Sequence, residues 1–176
     1  MNAAPAYPAE FLAAIAYTLP DEGGYVDDPY DAGGPTRWGI SKRVYPNLDI
    51  EHLTRDQAIA IYYRDYWLNW GFGRLAPAIS AKVFDLAIVM GEREATKCLQ
   101  RACRACGRPL LEDGIIGAVT GAATIEISSA VASGALSPLL AALRSEAAGF
   151  FIAAAAIELP NHDQEFLPGW LNRAYR

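Results

Sequence analysis

The sequence contains few of the residues on which disulfide-stabilised and metal-binding proteins depend. Its 176 residues include two histidines, His52 and His162, and three cysteines, Cys98, Cys103 and Cys106. An odd number of cysteines crowded into one stretch argues against a disulfide framework, and neither histidine lies at ligand spacing from them. We therefore expect no metal and no cofactor, and we predict that the thiols are small buried hydrophobes.

Long apolar runs and a basic N-terminal segment are also missing. No uninterrupted run has the eighteen or so apolar residues of a membrane span, and the apolar segment 147–157 is expected to be a buried helix. The first twenty residues contain Glu10 and no Lys or Arg, which argues against a signal peptide. We expect synthesis in the cytoplasm, no stable membrane insertion, and release by another system to reach any substrate outside.

Positive charge is in deficit overall, because the formal net charge is -5. This balance argues against a protein that binds nucleic acid through phosphate contacts. The charge is uneven: residues 1–31 are acidic without Lys or Arg, whereas residues 82–108 have an excess of basic side chains. The basic stretch is either a patch for an anionic polymer or a set of solvated helix faces, and the sequence leaves both interpretations open.

Apolar residues make up 52% of the chain, enough for a packed core. Helical patterns occur at 8–20, 78–90, 92–106, 115–133 and 137–158, and Thr54 with Gln57 has the spacing of a helix-capping box. Residues 21–40 instead alternate turn residues with short apolar pieces. We predict an α+β fold, mainly helical, with a small β-hairpin or sheet near residues 24–40. The predicted regions are 1–75 and 76–176; whether they share one core stays open.

The same glycine-rich stretch contains the residues that are best suited to catalysis. Glu22 stands where a helix gives way to a Gly-Gly turn, and Asp31 and Thr36 follow it at short spacing. Glycoside hydrolysis uses a carboxylic acid that protonates the leaving oxygen and, in inverting enzymes, a second carboxylate that activates water. Acidic residues in such turns also serve as turn formers or helix caps, and Asp27 and Asp28 compete with Asp31 for the second role.

Residues 22–41, with the sequence EGGYVDDPYDAGGPTRWGIS, closely resemble the signature of glycoside hydrolase family 108. These enzymes are lysozyme-like N-acetylmuramidases of phage endolysins and bacterial secretion loci. The resemblance implies that Glu22 is the catalytic residue. The set Glu22, Asp31 and Thr36 is also similar to the Glu-Asp-Thr set of phage-type lysozymes, one residue shorter before the Thr, which implies an inverting mechanism.

Further segments extend the resemblance over most of the chain. Residues 84–100, the DGIIG at 113–117 and FLPGWLNRA near the end look like the predicted peptidoglycan-binding half of the same family. The sequence departs from the family at Asp27 and Val89, where Asn is usual, and at Ala118, where Pro is common. These departures leave Glu22, Asp31 and Thr36 unchanged but put the contacts around them in doubt.

Aromatic residues near the acid are candidates for binding a glycan. Tyr25, Tyr30 and Trp38 are expected to line the cleft, whereas Trp67 and Trp70 fit a helical core stripe better. The resemblance implies a muramidase that cuts the β-1,4 bond between MurNAc and GlcNAc of bacterial peptidoglycan. We expect a monomer, because one chain contains the acid and its candidate partners. A holin or secretion machinery would release it. The alternatives are a lytic transglycosylase, which forms an anhydro sugar without water, and a cell-wall binding protein without catalysis.

Overall fold

The computed structural model describes residues 6–19, 24–27, 34–131, 137–157 and 163–176. Within these ranges the chain is mainly helical and has one small antiparallel sheet, which confirms the predicted fold class. The elements in chain order are α1 (Ala9–Thr18), β1 (Tyr25–Val26), β2 (Thr36–Arg37), β3 (Ile40–Ser41), α2 (Arg55–Ile61), a π-helical turn (Tyr62–Trp67), α3 (Leu68–Trp70), a 3-10 turn (Phe72–Arg74), α4 (Pro77–Met90), α5 (Glu92–Ala105), α6 (Ala118–Ser129), α7 (Pro138–Ile157) and α8 (Asp163–Tyr175).

Local signals set several helix boundaries where the sequence predicts them. At the start of α2 the hydroxyl of Thr54 accepts from the backbone N–H of Gln57 at 3.3 Å, and the Gln57 side chain accepts from the Thr54 N–H at 2.8 Å. This is the predicted capping box. Helix α4 ends at Met90, and the residue that caps it, Gly91, has a φ of 83°, which suits a residue without a Cβ.

Aromatic rings at the centre of the core surround Phe84 of α4. The rings of Phe11, Tyr62, Trp67 and Phe72 all lie within 6.2 Å of it, centroid to centroid. Helix α4 packs against α1 and α5, and α7 packs against α5 and α8. One cluster of buried hydrophobic residues therefore draws members from α1, α2 and α4 to α8. The division of the chain near residue 75 stays a prediction.

The π-helical turn has a clear packing reason. In this geometry the backbone bonds join residues five apart, so side chains at i and i+5 come close to the same face. Tyr62 and Trp67 are five apart, and both rings contact Phe84, at 6.1 Å and 5.7 Å. An α-helix would turn these two side chains well apart. Trp67 is buried, as predicted for a core residue. The same prediction is wrong for Trp70, which is 38% exposed.

A buried ionic cluster connects three helices. Asp85 of α4 is fully buried; its carboxylate pairs with Arg173 at 3.0 Å, Arg176 at 3.1 Å and Lys82 at 3.7 Å. Arg176 also donates to the backbone oxygen of Tyr17 at 3.3 Å and lies over the Tyr17 ring. The cluster thus ties the end of α1 to α4 and to the residues at the end of α8.

Helix α7 is the longest helix of the described residues and is apolar along most of its length. Its segment 138–156 has a mean hydropathy of 1.5, so by length and composition alone it also meets the requirement for a membrane span, as core helices often do. Leu139, Leu143 and Phe151 are buried inside the protein. Glu146 on the same helix accepts from Arg101 of α5 at 2.5 Å. These contacts fit a core helix of the folded protein.

Lys82 gives the ionic cluster a dependence on pH. Removal from water lowers the pKa of Lys82 from its usual 10.5 to about 8, although Asp85 acts in the opposite direction. Between pH 8 and 10.5 the unfolded chain therefore binds more protons than the folded chain, and stability rises with pH. Relative to Lys82→Met, we expect wild type to gain about 1 kcal/mol between pH 7 and pH 9 in urea unfolding.

Comparing wild type with Lys82→Met cancels the effect of the other titrating groups on the free energy of unfolding. Burial raises the pKa values of the Cys98 and Cys103 thiols to about 11, which lowers stability as pH rises, but both proteins contain these thiols. A free-energy difference that stays constant from pH 7 to pH 9 would mean that Lys82 keeps its ordinary pKa.

Candidate active site

The structure describes three of the six predicted site residues, Tyr25, Thr36 and Trp38. Glu22, Tyr30 and Asp31 lie outside the described residues. Tyr25 lies in β1 and Thr36 in β2, and Trp38 lies in the turn between β2 and β3. The site can therefore be built from the sheet outward.

Strand pairing determines which side chains share a face of this sheet. Thr36 of β2 is opposite both Val26 of β1 and Ser41 of β3, so these three share one face. Tyr25, Arg37 and Ile40 share the other face, on which Ile40 is buried. Thr36 thus lies on the face of the sheet that does not carry the buried Ile40. Tyr25 lies on the same face as Ile40.

The hydroxyl of Thr36 is oriented by its own backbone. It donates to the carbonyl oxygen of Gly34 at 3.0 Å and is only partly buried. A hydroxyl has one proton to donate and two lone pairs that accept. Because the proton is committed to Gly34, the exposed side of the Thr36 oxygen can only accept. Such an acceptor suits a water molecule that must be held through one of its hydrogens.

Trp38 anchors the β2–β3 turn to the rest of the protein. Trp38 and Gly39 have φ values of 53° and 72°, as a type I′ turn requires at both central positions. The indole Nε1–H donates to the carbonyl oxygen of Leu53 at 3.2 Å, and the ring packs against the core. The Trp38 side chain is half-buried. Its role in lining a substrate cleft stays a prediction.

Tyr25 has an exposed and charged surrounding. Its side chain is 40% exposed, and its hydroxyl lies 3.5 Å from the Asp27 carboxylate. Partial desolvation, followed by the negative charges of Asp27 and Glu51, raises the pKa of Tyr25. Asp27 thus adds charge at a position where the resembling family usually has a neutral Asn. Sugar binding by Tyr25 stays a prediction, and it would use a different face of the sheet from Thr36.

Two tyrosine hydroxyls connect the sheet region to the π-helical turn. Tyr62 donates to the carbonyl oxygen of Trp38 at 2.9 Å, and Tyr45 donates to the carboxylate of Asp65 at 2.8 Å. Burial and the bond to Asp65 raise the pKa of Tyr45. Arg64 is the largest cause that lowers the pKa of Asp65, so this acceptor stays ionised. The sequence alone did not predict these contacts. The aromatic run YYRDYW, which contains Tyr62 and Asp65, was the only pattern that marked this segment.

Residues 15–91 match the family model of glycosyl hydrolase 108. This range begins in α1, includes the whole sheet and ends at Gly91 after α4. It contains Glu22, Asp31 and Thr36, the three residues that the motif suggests for catalysis. The part of the chain that matches the family model therefore includes both the oriented Thr36 hydroxyl and the tyrosine contacts that hold the sheet.

Similarity to a solved structure extends beyond residues 15–91. The structure of Brucella abortus SagA is similar to this chain with a TM-score of 0.70 and 27% sequence identity. The alignment covers 94% of this chain and 90% of that chain. No curated protein sequence is significantly similar. The overall similarity therefore extends to helices that lie after the matched family region.

The basic stretch at residues 82–108 is balanced by carboxylates at most of its positions. Most of its basic side chains make ion pairs with acidic side chains of the same chain. The pairs are Lys97 with Glu94, Arg101 with Glu112 and Glu146, Arg104 with Glu112, and Arg108 with Glu126. The stretch is therefore not an unpaired basic patch for an anionic polymer, and the interpretation as helix surface fits better.

The DGIIG segment is held by one buried side chain. The amide of Gln100 donates to Asp113 at 2.7 Å and to the carbonyl oxygen of Ile115 at 3.2 Å, and it accepts from the N–H of Gly114 at 3.0 Å. A residue of α5 thus fixes the loop against the helices. Val89 is half-buried in the last turn of α4, where the resembling family often has Asn.

Among the residues that the structure describes, no group of His, Cys, Asp and Glu is arranged to hold a metal ion. The three cysteines are free; Cys98 and Cys103 are buried and Cys106 is partly buried. Burial raises the pKa of each thiol, so the thiolate form is disfavoured. Cys98 and Cys103 are the small buried hydrophobes that the sequence predicts.

Proposed function

We propose that this protein is a peptidoglycan muramidase that hydrolyses the β-1,4 bond between MurNAc and GlcNAc. The observation that carries the proposal is the glycosyl hydrolase 108 match over residues 15–91, a range that contains Glu22, Asp31 and Thr36. The overall similarity to Brucella abortus SagA supports the fold on which the proposal depends. The Thr36 hydroxyl, oriented to accept a hydrogen bond, supports a reaction that uses water.

In the proposed reaction Glu22 is the general acid. It donates its proton to the O4 oxygen of GlcNAc as the bond from that oxygen to C1 of MurNAc breaks. Water attacks C1 from the opposite face and gives one proton to the Asp31 carboxylate. Its other hydrogen stays on the water oxygen and is hydrogen-bonded to the Thr36 hydroxyl. The products are a MurNAc reducing end and a GlcNAc 4-hydroxyl. The proton on Asp31 then leaves to solvent, and Glu22 takes up another.

The proposal includes a route to the substrate. The protein would be made in the cytoplasm and act on peptidoglycan in the periplasm or cell wall, after a holin or secretion machinery releases it. It would be a phage endolysin or a related bacterial cell-wall hydrolase and would work as a monomer. Tyr25, Tyr30 and Trp38 would contact the glycan, and residues 76–176 would contribute to wall binding.

Mass spectrometry of the released products tests the proposed function. Purified peptidoglycan treated with wild-type protein is expected to yield muropeptides with reducing-end MurNAc, since water adds to C1. Anhydro-MurNAc products would instead identify a lytic transglycosylase. Binding to the wall without soluble products would identify a cell-wall binding protein. Either of these two results contradicts the muramidase assignment.

A further inference from the structure

We propose that Ser41 is a second water-holding residue of the active site, paired with Thr36 across the sheet. This inference rests on the proposed function, because it names a further residue for the same reaction. Ser41 is the last residue of β3, and the strand register places it directly opposite Thr36. It was absent from the residues that the sequence suggested for catalysis.

The hydrogen-bond pattern brings these two side chains unusually close. The N–H of Lys42 donates to the carbonyl oxygen of Pro35 at 2.9 Å, so Pro35 and Lys42 form a hydrogen-bonded pair of the ladder. Pairs alternate along an antiparallel ladder, which makes Thr36 and Ser41 a non-hydrogen-bonded pair. The Cα atoms of such a pair lie about 4.5 Å apart, closer than in the other type. Two hydroxyls therefore stand side by side on one face.

The surroundings leave the Ser41 hydroxyl available to a ligand. Ile40, its neighbour in sequence, is buried on the opposite face, while Ser41 and Thr36 are partly exposed. The backbone carbonyl of Ser41 accepts from the N–H of Tyr45 at 3.0 Å, which fixes the main chain at this position. Within the described ranges the Ser41 hydroxyl makes no side-chain hydrogen bond. Its proton is thus available to a bound molecule.

The two hydroxyls offer a water molecule complementary bonds. The Thr36 oxygen, with its proton on Gly34, accepts one hydrogen of the water. The Ser41 hydroxyl donates to one of the two lone pairs of the water oxygen. The remaining lone pair then points at C1 of MurNAc. Ser41 fixes the direction of attack by this bond, and takes up no proton in the reaction.

Steady-state kinetics on soluble glycan strands test this role. For Ser41→Ala we expect kcat to fall about tenfold with KM unchanged, because the lost hydrogen bond orients water and leaves the bound sugar untouched. Ser41→Thr keeps the hydroxyl and should recover most of the rate. Ser145→Ala is the matched control, since this exposed serine bonds only to its own helix at Ala141, and its kcat should equal that of wild type. Thermal unfolding of each variant verifies folding.

A double-mutant cycle with Thr36→Val separates the remaining explanations. If both hydroxyls hold one water, Ser41→Ala should cost much less than tenfold in the Thr36→Val background. Fully additive effects, a raised KM with unchanged kcat, or no change in Ser41→Ala would each overturn the proposal. Wild type that yields no reducing-end MurNAc would instead reject the muramidase function itself, so the two failures are distinguishable.

Discussion

Replacing Glu22 with Gln is expected to reduce glycan cleavage about a thousandfold, the largest effect on activity of any substitution considered. Gln has nearly the same size and shape as Glu, but its amide has no acidic proton for the leaving oxygen of GlcNAc. General acid–base groups contribute on the order of 10²–10⁴ in rate, which sets this expectation. Release of reducing-end MurNAc from purified peptidoglycan measures it, with the thermal unfolding midpoint as a check on folding.

Glu10→Gln is the matched control for Glu22→Gln. Glu10 is an exposed residue in the first turn of α1, and the same chemical change there should leave the cleavage rate as it is in wild type. Substantial activity in Glu22→Gln, above about a tenth of the wild-type rate, would show that another carboxyl group is the acid. Asp31, Asp27 and Asp28 would then be the residues to test.

Replacing Asp85 with Asn is expected to cause the largest loss of stability. The side chain keeps its volume, but the carboxylate that pairs with Arg173, Arg176 and Lys82 becomes neutral. Breaking a buried ion pair by removing one partner typically costs about 3–5 kcal/mol, because the remaining charge is left buried. For a chain of this size the thermal midpoint should fall on the order of 10 °C, measured by circular dichroism.

An exposed ion pair provides the control for the Asp85 experiment. Asp49 pairs with His52 where both side chains are at least 70% exposed, so Asp49→Asn should shift the thermal midpoint far less. Adding Lys82→Met to Asp85→Asn removes one of the stranded cations and should recover part of the loss. If Asp85→Asn melted at the wild-type temperature, the cluster would contribute nothing to the stability of the fold.

Local chemistry explains which parts of the fold were predictable from the sequence. The start of α2 follows from Thr54 and Gln57, which are three residues apart and satisfy each other's backbone groups. The end of α4 follows from Gly91, whose positive φ needs no neighbour from elsewhere in the chain. The position of the small sheet follows likewise from the glycines and prolines of residues 21–40.

Features that depend on distant partners were not predictable in the same way. Asp85 and Arg176 are 91 residues apart, and no local pattern indicates that they meet. Ser41 escaped notice because its face depends on strand register, and a shift of one residue would turn it to the core side. The register itself depends on Trp38 at a positive φ, a position where Asn or Gly is usual. The dipeptide Trp38-Gly39 is therefore a weaker indication of a hairpin turn than Asn-Gly would be.

The π-helical turn makes this part of the chain intolerant of changes in length. Tyr62 begins the turn and donates a hydrogen bond to Trp38, while Trp67 ends the turn and packs on Phe72 and Phe84. Deleting one residue between them would rotate everything that follows by about 100° about the helix axis, if the backbone returned to α geometry. One of the two tryptophans would then lose its partner. The packing of Tyr62 and Trp67 therefore fixes the number of residues between them.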